Sequence, residues 1–196
     1  HIPENETVLL SAFDERTMSG GYFSFEFSTV KNPDLVIMDK YSFGDLKKAK
    51  EAEKLIWTKE NVETFPDLWI SDFDFKHAEK ISDANPQQEN YIWPTVELVE
   101  WTSFAGENLQ GLLYRPENFD PKEEYPLMIY FYERNAENLY RHQRPYPSHS
   151  TINKTFYASN GYMVFVPDIT YKIGYPGQSA YDAIVSGTQY LVNTYP

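Results

Sequence analysis

The sequence predicts a mixed fold: antiparallel β-sheet in its first half, then the opening of an α/β domain that stops incomplete. Three observations predict it. Residues 21–30, GYFSFEFSTV, alternate, with Tyr22, Ser24, Glu26 and Ser28 on one face and Phe23, Phe25 and Phe27 on the other. That is the period-two pattern of a half-buried strand. LMIYFY (127–132) and GYMVFVPD (161–168) are instead nearly continuous apolar runs, as in parallel strands covered on both faces. SAYDAIVSGTQYLV (179–192) then sets Tyr181, Ile184, Val185, Thr188, Leu191 and Val192 on one helical face.

Further short strands in the first half are VLLSAFDER (8–16), EKLIWTKEN (53–61) and DLWISDFDF (67–75), separated by turn residues. Short strands at such spacing suit a sandwich, a barrel or propeller blades. PDLVIMD (33–39) and PDLWISD (66–72) share Pro-Asp-Leu-x-Ile-x-Asp at an offset of 33 residues, an echo that points toward repeated blades. DLKKAKEAEK (45–54) has the composition of a helix and also that of a charged blade edge. Around residue 95 the texture changes. VELVEWTSFAGENLQGLLYRPENF (96–119) reads as two strands joined by a turn near Gly106, and PENFDPKEEYP (116–126) as a connection. The expected division is therefore 1–95 and 96–196. Two buried strands and one helix cannot cover both faces of a sheet, so the second domain is expected to be incomplete. The chain opens at His1 without methionine or a signal-like segment, and its true start is expected to lie upstream.

Composition narrows the partners. With 17 basic and 29 acidic residues the formal charge is −12, which argues against nucleic acid and anionic membrane surfaces. No apolar run approaches the roughly 20 residues of a membrane span. There is no cysteine, which excludes disulfides and thiolate chemistry. The 16 Tyr, 13 Phe and 4 Trp favour β structure.

Few residues carry chemistry on their own. Gly177-Gln178-Ser179 half-matches the nucleophile elbow G-x-S-x-G, but position 181 is Tyr and no buried strand runs into it. Ser179 with Asp182 three residues on reads as a helix N-cap and capping box. Asp72, Asp74 and His77 form a metal-like string without a fourth ligand, which reads as a solvated strand end. His142 and His149 lie in the loop RHQRPYPSHS with no serine or acid placed beside them. Glu123 and Glu124 read as solvated charges, and GYPG (174–177) as a turn rather than a phosphate loop. No cofactor or metal is expected. The end of the opening buried strand, Tyr130-Phe131-Tyr132-Glu133-Arg134, remains, because strand C-termini line the sites of α/β folds.

VEWTSFAGENLQGLLYRPENFDPKEEYPLMIYFYE (99–133) and GYMVFVPDITYKIGYPGQSAYD (161–182) resemble the prolyl oligopeptidase family of serine peptidases, which includes dipeptidyl and acylaminoacyl peptidases. The resemblance implies propeller blades over 1–95, the start of an α/β-hydrolase catalytic domain over 96–196, and truncation before the nucleophile. Residues 1–90, ending ISDANPQQ, are similar to the last blades of the family's propeller. It further implies that Tyr132 supplies an oxyanion-hole hydroxyl, with Tyr130 the weaker candidate two residues away. Where the family often has Gly-Gly or Gly-Pro, this chain has Glu133-Arg134-Asn135. The triad is expected beyond Pro196, so the fragment itself is expected to be inactive. A peptide is the implied substrate. Oligomeric state stays open, homodimer included, as does location, cytoplasmic or exported, with exported favoured. Two other readings stand beside this one: an α/β-hydrolase esterase, and a noncatalytic aromatic-rich β module that binds peptide or glycan. The last predicts no parallel strands and no covering helix in 127–192.

Overall fold

In the computed structural model the described residues are 7–28, 31–146 and 148–195. The expected strand over 21–30 runs into Thr29 and Val30, which lie outside them, as do the opening His1 and the closing Pro196. The structure is mostly antiparallel sheet with few helices. It divides into two compact units, His1–Pro86 with Tyr140–His142, and Gln87–Leu139 with Gln143–Pro196. Among the described residues, no helix is long and apolar enough to cross a membrane.

The first unit contains two antiparallel sheets. In one, β1 (Thr7–Phe13), β2 (Gly20–Glu26) and β3 (Asp34–Asp39) lie in sequence order. In the other, β4 (Ser42–Lys48), β5 (Leu55–Glu60), β6 (Asp67–Ser71) and β7 (Glu79–Lys80) do the same. The two PDL echoes fall on β3 and β6, the third strand of each sheet. Residues 45–54 are not helical: β4 is an outer strand, and its lysines stand where unpaired backbone needs charge to discourage further pairing. On β2 the buried side chain is Tyr22, while Phe27, just past the strand, is exposed. Tyr22 stacks on Phe75 at 5.4 Å and meets the edge of Phe43, joining Leu55 and Trp57 in one core. A register shift at Tyr22/Phe23 interrupts the simple alternation. Trp57 is fixed in that core by its Nε1–H, which donates to Ser71 Oγ at 2.9 Å.

In the second unit, β8 (Thr95–Thr102) and β9 (Asn108–Arg115) form a hairpin. Its turn uses Gly106 at φ 81°, a left-handed conformation that glycine adopts without a Cβ penalty. β10 (Leu127–Ile129) pairs in parallel with β11 (Met163–Pro167), and β11 pairs antiparallel with β9. The sheet order is β10-β11-β9-β8. Only β11 is buried along its whole length. β10 is an outer strand and half-buried, and its ladder is shorter than the apolar run 127–132 suggested. A short helix α1 (Lys154–Ser159), not anticipated from sequence, is capped by Asn153, which accepts from Phe156 N at 2.9 Å.

Helix α2 spans Pro176–Thr194 and so starts three residues before the expected position. Pro176 suits a first turn, where its missing N–H is not needed. Ser179 is consequently not an N-cap: it sits inside the first turn, accepts from Lys172 N at 3.0 Å and donates to the Tyr175 carbonyl. Asp182 accepts from Gln178 Nε2 at 2.8 Å rather than completing a capping box. The packed face also differs. Ala183, Ser186, Gly187 and Leu191 are buried, whereas Tyr181 and Val192 are exposed. Trp101 and Phe165, edge to face at 5.3 Å, occupy the space beneath α2 and leave room only for small residues. Trp101 Nε1 donates to Ser186 Oγ at 3.0 Å. The parallel β10–β11 pair and the covering α2 are what a purely β binding module does not predict.

Candidate active site at the end of the mixed sheet

β10 and β11 run in the same direction, so their C-terminal ends open at the same edge of the second unit. The ladder's last link is Tyr130 N donating to Phe165 O at 2.9 Å. Beyond it the chain leaves the sheet. Residues 132–136 are then held from outside by residues 168–171. Tyr171 OH donates to the Tyr132 carbonyl at 2.8 Å, and Ile169 N donates to the Glu133 carbonyl at 2.9 Å. The Asp168 carboxylate accepts from Asn135 N and, at 3.0 Å, from Ala136 N. Its other oxygen accepts from Gln110 Nε2 at 3.2 Å.

Asp168 is only 6% exposed. A buried carboxylate is tolerated when polar hydrogens surround it, and two backbone N–H groups and an amide do so here. The sequence showed an aspartate directly after a buried strand and nothing of this clamp. Asp168 and Tyr171 are the residues that sequence reasoning missed. The only available signal was the abrupt V-P-D ending of an otherwise apolar run.

The clamped loop includes Glu133, Arg134 and Asn135. None of the three adopts a positive φ, so the loop needs no residue without a Cβ.

Tyr132 is 75% exposed, and among the described residues its hydroxyl has no hydrogen-bond partner. With Phe131, Glu133 and Tyr171 it lines an open cleft of about 330 Å³. Tyr130 is engaged differently: the Lys154 ammonium lies 4.7 Å from its ring centroid. Burial lowers the pKa of Lys154, because an ammonium loses hydration there. Of the two candidate tyrosines, Tyr132 is the more exposed to solvent, Tyr130 being half-buried.

Asp72 pairs with Lys54 Nζ at 2.6 Å, and Asp74 accepts from Lys76 N at 3.1 Å. Among the described residues, no group of three His, Asp or Glu is arranged to hold a metal. His142 lies with the first unit, its Nδ1 3.1 Å from the Val62 carbonyl and its ring edge-on to Phe65. Burial lowers its pKa, against the opposing pull of the Val62 and Asn61 backbone. His149 is exposed in its loop.

No protein-family model matches this sequence, and no curated protein does. Solved structures do. The acylaminoacyl peptidase of Pyrococcus horikoshii aligns with a TM-score of 0.64 and 16% identity, over 96% of this chain and 29% of its own. A post-proline cleaving enzyme from Rickettsia typhi aligns at 0.58 and 16% identity, over 97% of this chain and 30% of its own. Dipeptidyl peptidase 4 of Porphyromonas gingivalis aligns at 0.59 and 16% identity, over 83% and 23%. The chain shares its fold with segments of peptidases. It spans between 23% and 30% of the length of these three.

Proposed function

We propose that this chain is part of a serine peptidase of the prolyl oligopeptidase family, joining the last blades of a β-propeller (1–95) to the start of an α/β-hydrolase domain (96–196). The observation that carries the reading is Tyr132: a free phenol at the shared C-terminal end of β10 and β11, on a fold matched across both units by peptidase structures. In this reading a serine from a later part of the protein attacks the scissile carbonyl. A tetrahedral intermediate collapses to an acyl-enzyme, and water releases the acid. Tyr132 donates to the oxyanion as its charge develops. A donor in that role is worth about 3 kcal/mol of barrier, because its dipole is already aimed when charge appears. The nucleophile, its base and its acid lie outside residues 1–196, and the segment alone does not hydrolyse peptides.

In the full-length protein Tyr132→Phe is expected to lower kcat about 100-fold at an unchanged melting temperature, consistent with the loss of one oxyanion donor. Unchanged turnover removes Tyr132 from the mechanism. A fluorophosphonate probe is expected to label the full-length protein and not the 196-residue chain, and stoichiometric labelling of the latter sinks the assignment of the nucleophile.

A further inference from the structure

We infer that Tyr171 is a positioning residue for Tyr132, an inference that rests on the oxyanion reading above and goes beyond it. The problem it addresses is visible in the backbone. Sheet pairing ends at Tyr130, so Tyr132 leaves the ladder that would otherwise fix its direction. A donor 75% exposed on an unpaired segment has many orientations to lose before it can serve a transition state. The segment is instead tied to the loop after β11 at Tyr132, Glu133, Asn135 and Ala136. The Asp168 carboxylate takes the Asn135 and Ala136 amides, Ile169 N holds the Glu133 carbonyl, and Tyr171 OH holds the carbonyl of Tyr132 itself.

Three of these ties use backbone or a buried side chain and brace the loop as a whole. The fourth differs. Tyr171 is 36% exposed, belongs to the same cleft as Tyr132, and places its one hydrogen bond on the residue whose side chain acts. A carbonyl fixed by an external donor sets the peptide plane that follows Tyr132, and with it the Cα–Cβ direction along which the phenol points. Removing one hydroxyl therefore leaves the fold intact and loosens the aim of the oxyanion donor.

The experiment is a double-mutant cycle in the full-length protein, with Tyr132→Phe, Tyr171→Phe and both together. Hydrolysis of p-nitrophenyl acetate is followed, since this activated ester needs an oxyanion site and little else. Tyr171→Phe is expected to lower kcat about 3- to 10-fold with KM unchanged, the scale of one neutral hydrogen bond. In the Tyr132→Phe background it is expected to cost nothing further, because no phenol remains to be aimed. Equal losses in both backgrounds, or a loss confined to KM, overturn the positioning role while leaving Tyr132 in place. An unaffected Tyr132→Phe overturns the oxyanion reading and this inference together. Hydrogen exchange of residues 132–136 gives an independent measure. Faster exchange confined to that segment in Tyr171→Phe supports the role, and unchanged exchange overturns it.

Discussion

Gly187 sits in the middle of α2, where a glycine normally weakens a helix by about 1 kcal/mol relative to alanine. Propensity alone says that Gly187→Ala stabilises the protein. The packing says otherwise. A Cβ at this position lies 2.8 Å from Phe165 Cζ, 2.9 Å from Phe165 Cε1 and 2.9 Å from Trp101 Cε2. Carbon atoms rest comfortably at about 3.5–4.0 Å, so both rings must retreat by more than half an ångström, on the order of the contact shortfall. Neither is free to do so. Phe165 is 0% exposed, and Trp101 is held by its bond to Ser186. Overpacking of this kind costs roughly 1–3 kcal/mol, and two constrained aromatic rings place it in the upper half. After subtracting the propensity gain, the expected net loss is about 1–2 kcal/mol. With a urea m-value of about 2 kcal/mol/M, the midpoint falls by about 0.5–1 M. Gly177, in the first turn of the same helix, has nothing within 4 Å of an added Cβ. Gly177→Ala is accordingly expected to raise the midpoint, by about 0.5–1 kcal/mol of stability. Urea denaturation followed by circular dichroism reads both. If Gly187→Ala raises the midpoint as Gly177→Ala does, the account of α2 packing is wrong.

Two further outcomes follow from buried carboxylates. Asp168→Ala leaves the Asn135 and Ala136 amides without their acceptor and is expected to cost about 3 kcal/mol, read as a lowered melting temperature, with Asp168→Asn losing less. Asp67 is buried, which raises its pKa, but the Ala84 amide, Ser82 hydroxyl and Lys80 ammonium outweigh that and hold it below the usual carboxylate range. A depressed folded pKa contributes stability that is present above the unfolded value near 3.9 and disappears as pH falls through the folded one. The penalty of Asp67→Asn is therefore expected to shrink between pH 6 and pH 2.5. A constant penalty over that range refutes the linkage.

The fold was legible wherever local pattern and burial coincide. GYMVFVPD is apolar up to Asp168 because β11 has neighbours on both edges and is buried along its length, so its sequence alone marked it as a covered strand. The hairpin around Gly106 was equally readable, since a turn that needs positive φ leaves its glycine in the text. LMIYFY looked like a second such strand, yet its strand ends at Ile129 and its last pairing bond is made by Tyr130. Apolar residues past that point serve the exposed cleft rather than the sheet, and composition cannot separate the two uses. The packed face of α2 was misread for a related reason. Large residues suggested burial, but beneath α2 the volume is already filled by Trp101 and Phe165, so the buried positions are the small ones.

By itself the sequence marked an alternating β pattern early in the chain and continuous apolar strands later, and it singled out the stretch ending at Tyr132. These follow from the period of side chains along a strand or helix, which is written in neighbouring residues. Only the tertiary structure decided what holds Tyr132. Asp168 and Tyr171 are separated from the loop they brace by more than thirty residues of chain. Contacts of that kind are made by carboxylate and phenol groups that look, in sequence, like any others at the end of a strand. Their meaning depends on which backbone groups the parallel pairing of β10 and β11 brings within 3 Å, and no local pattern encodes that register.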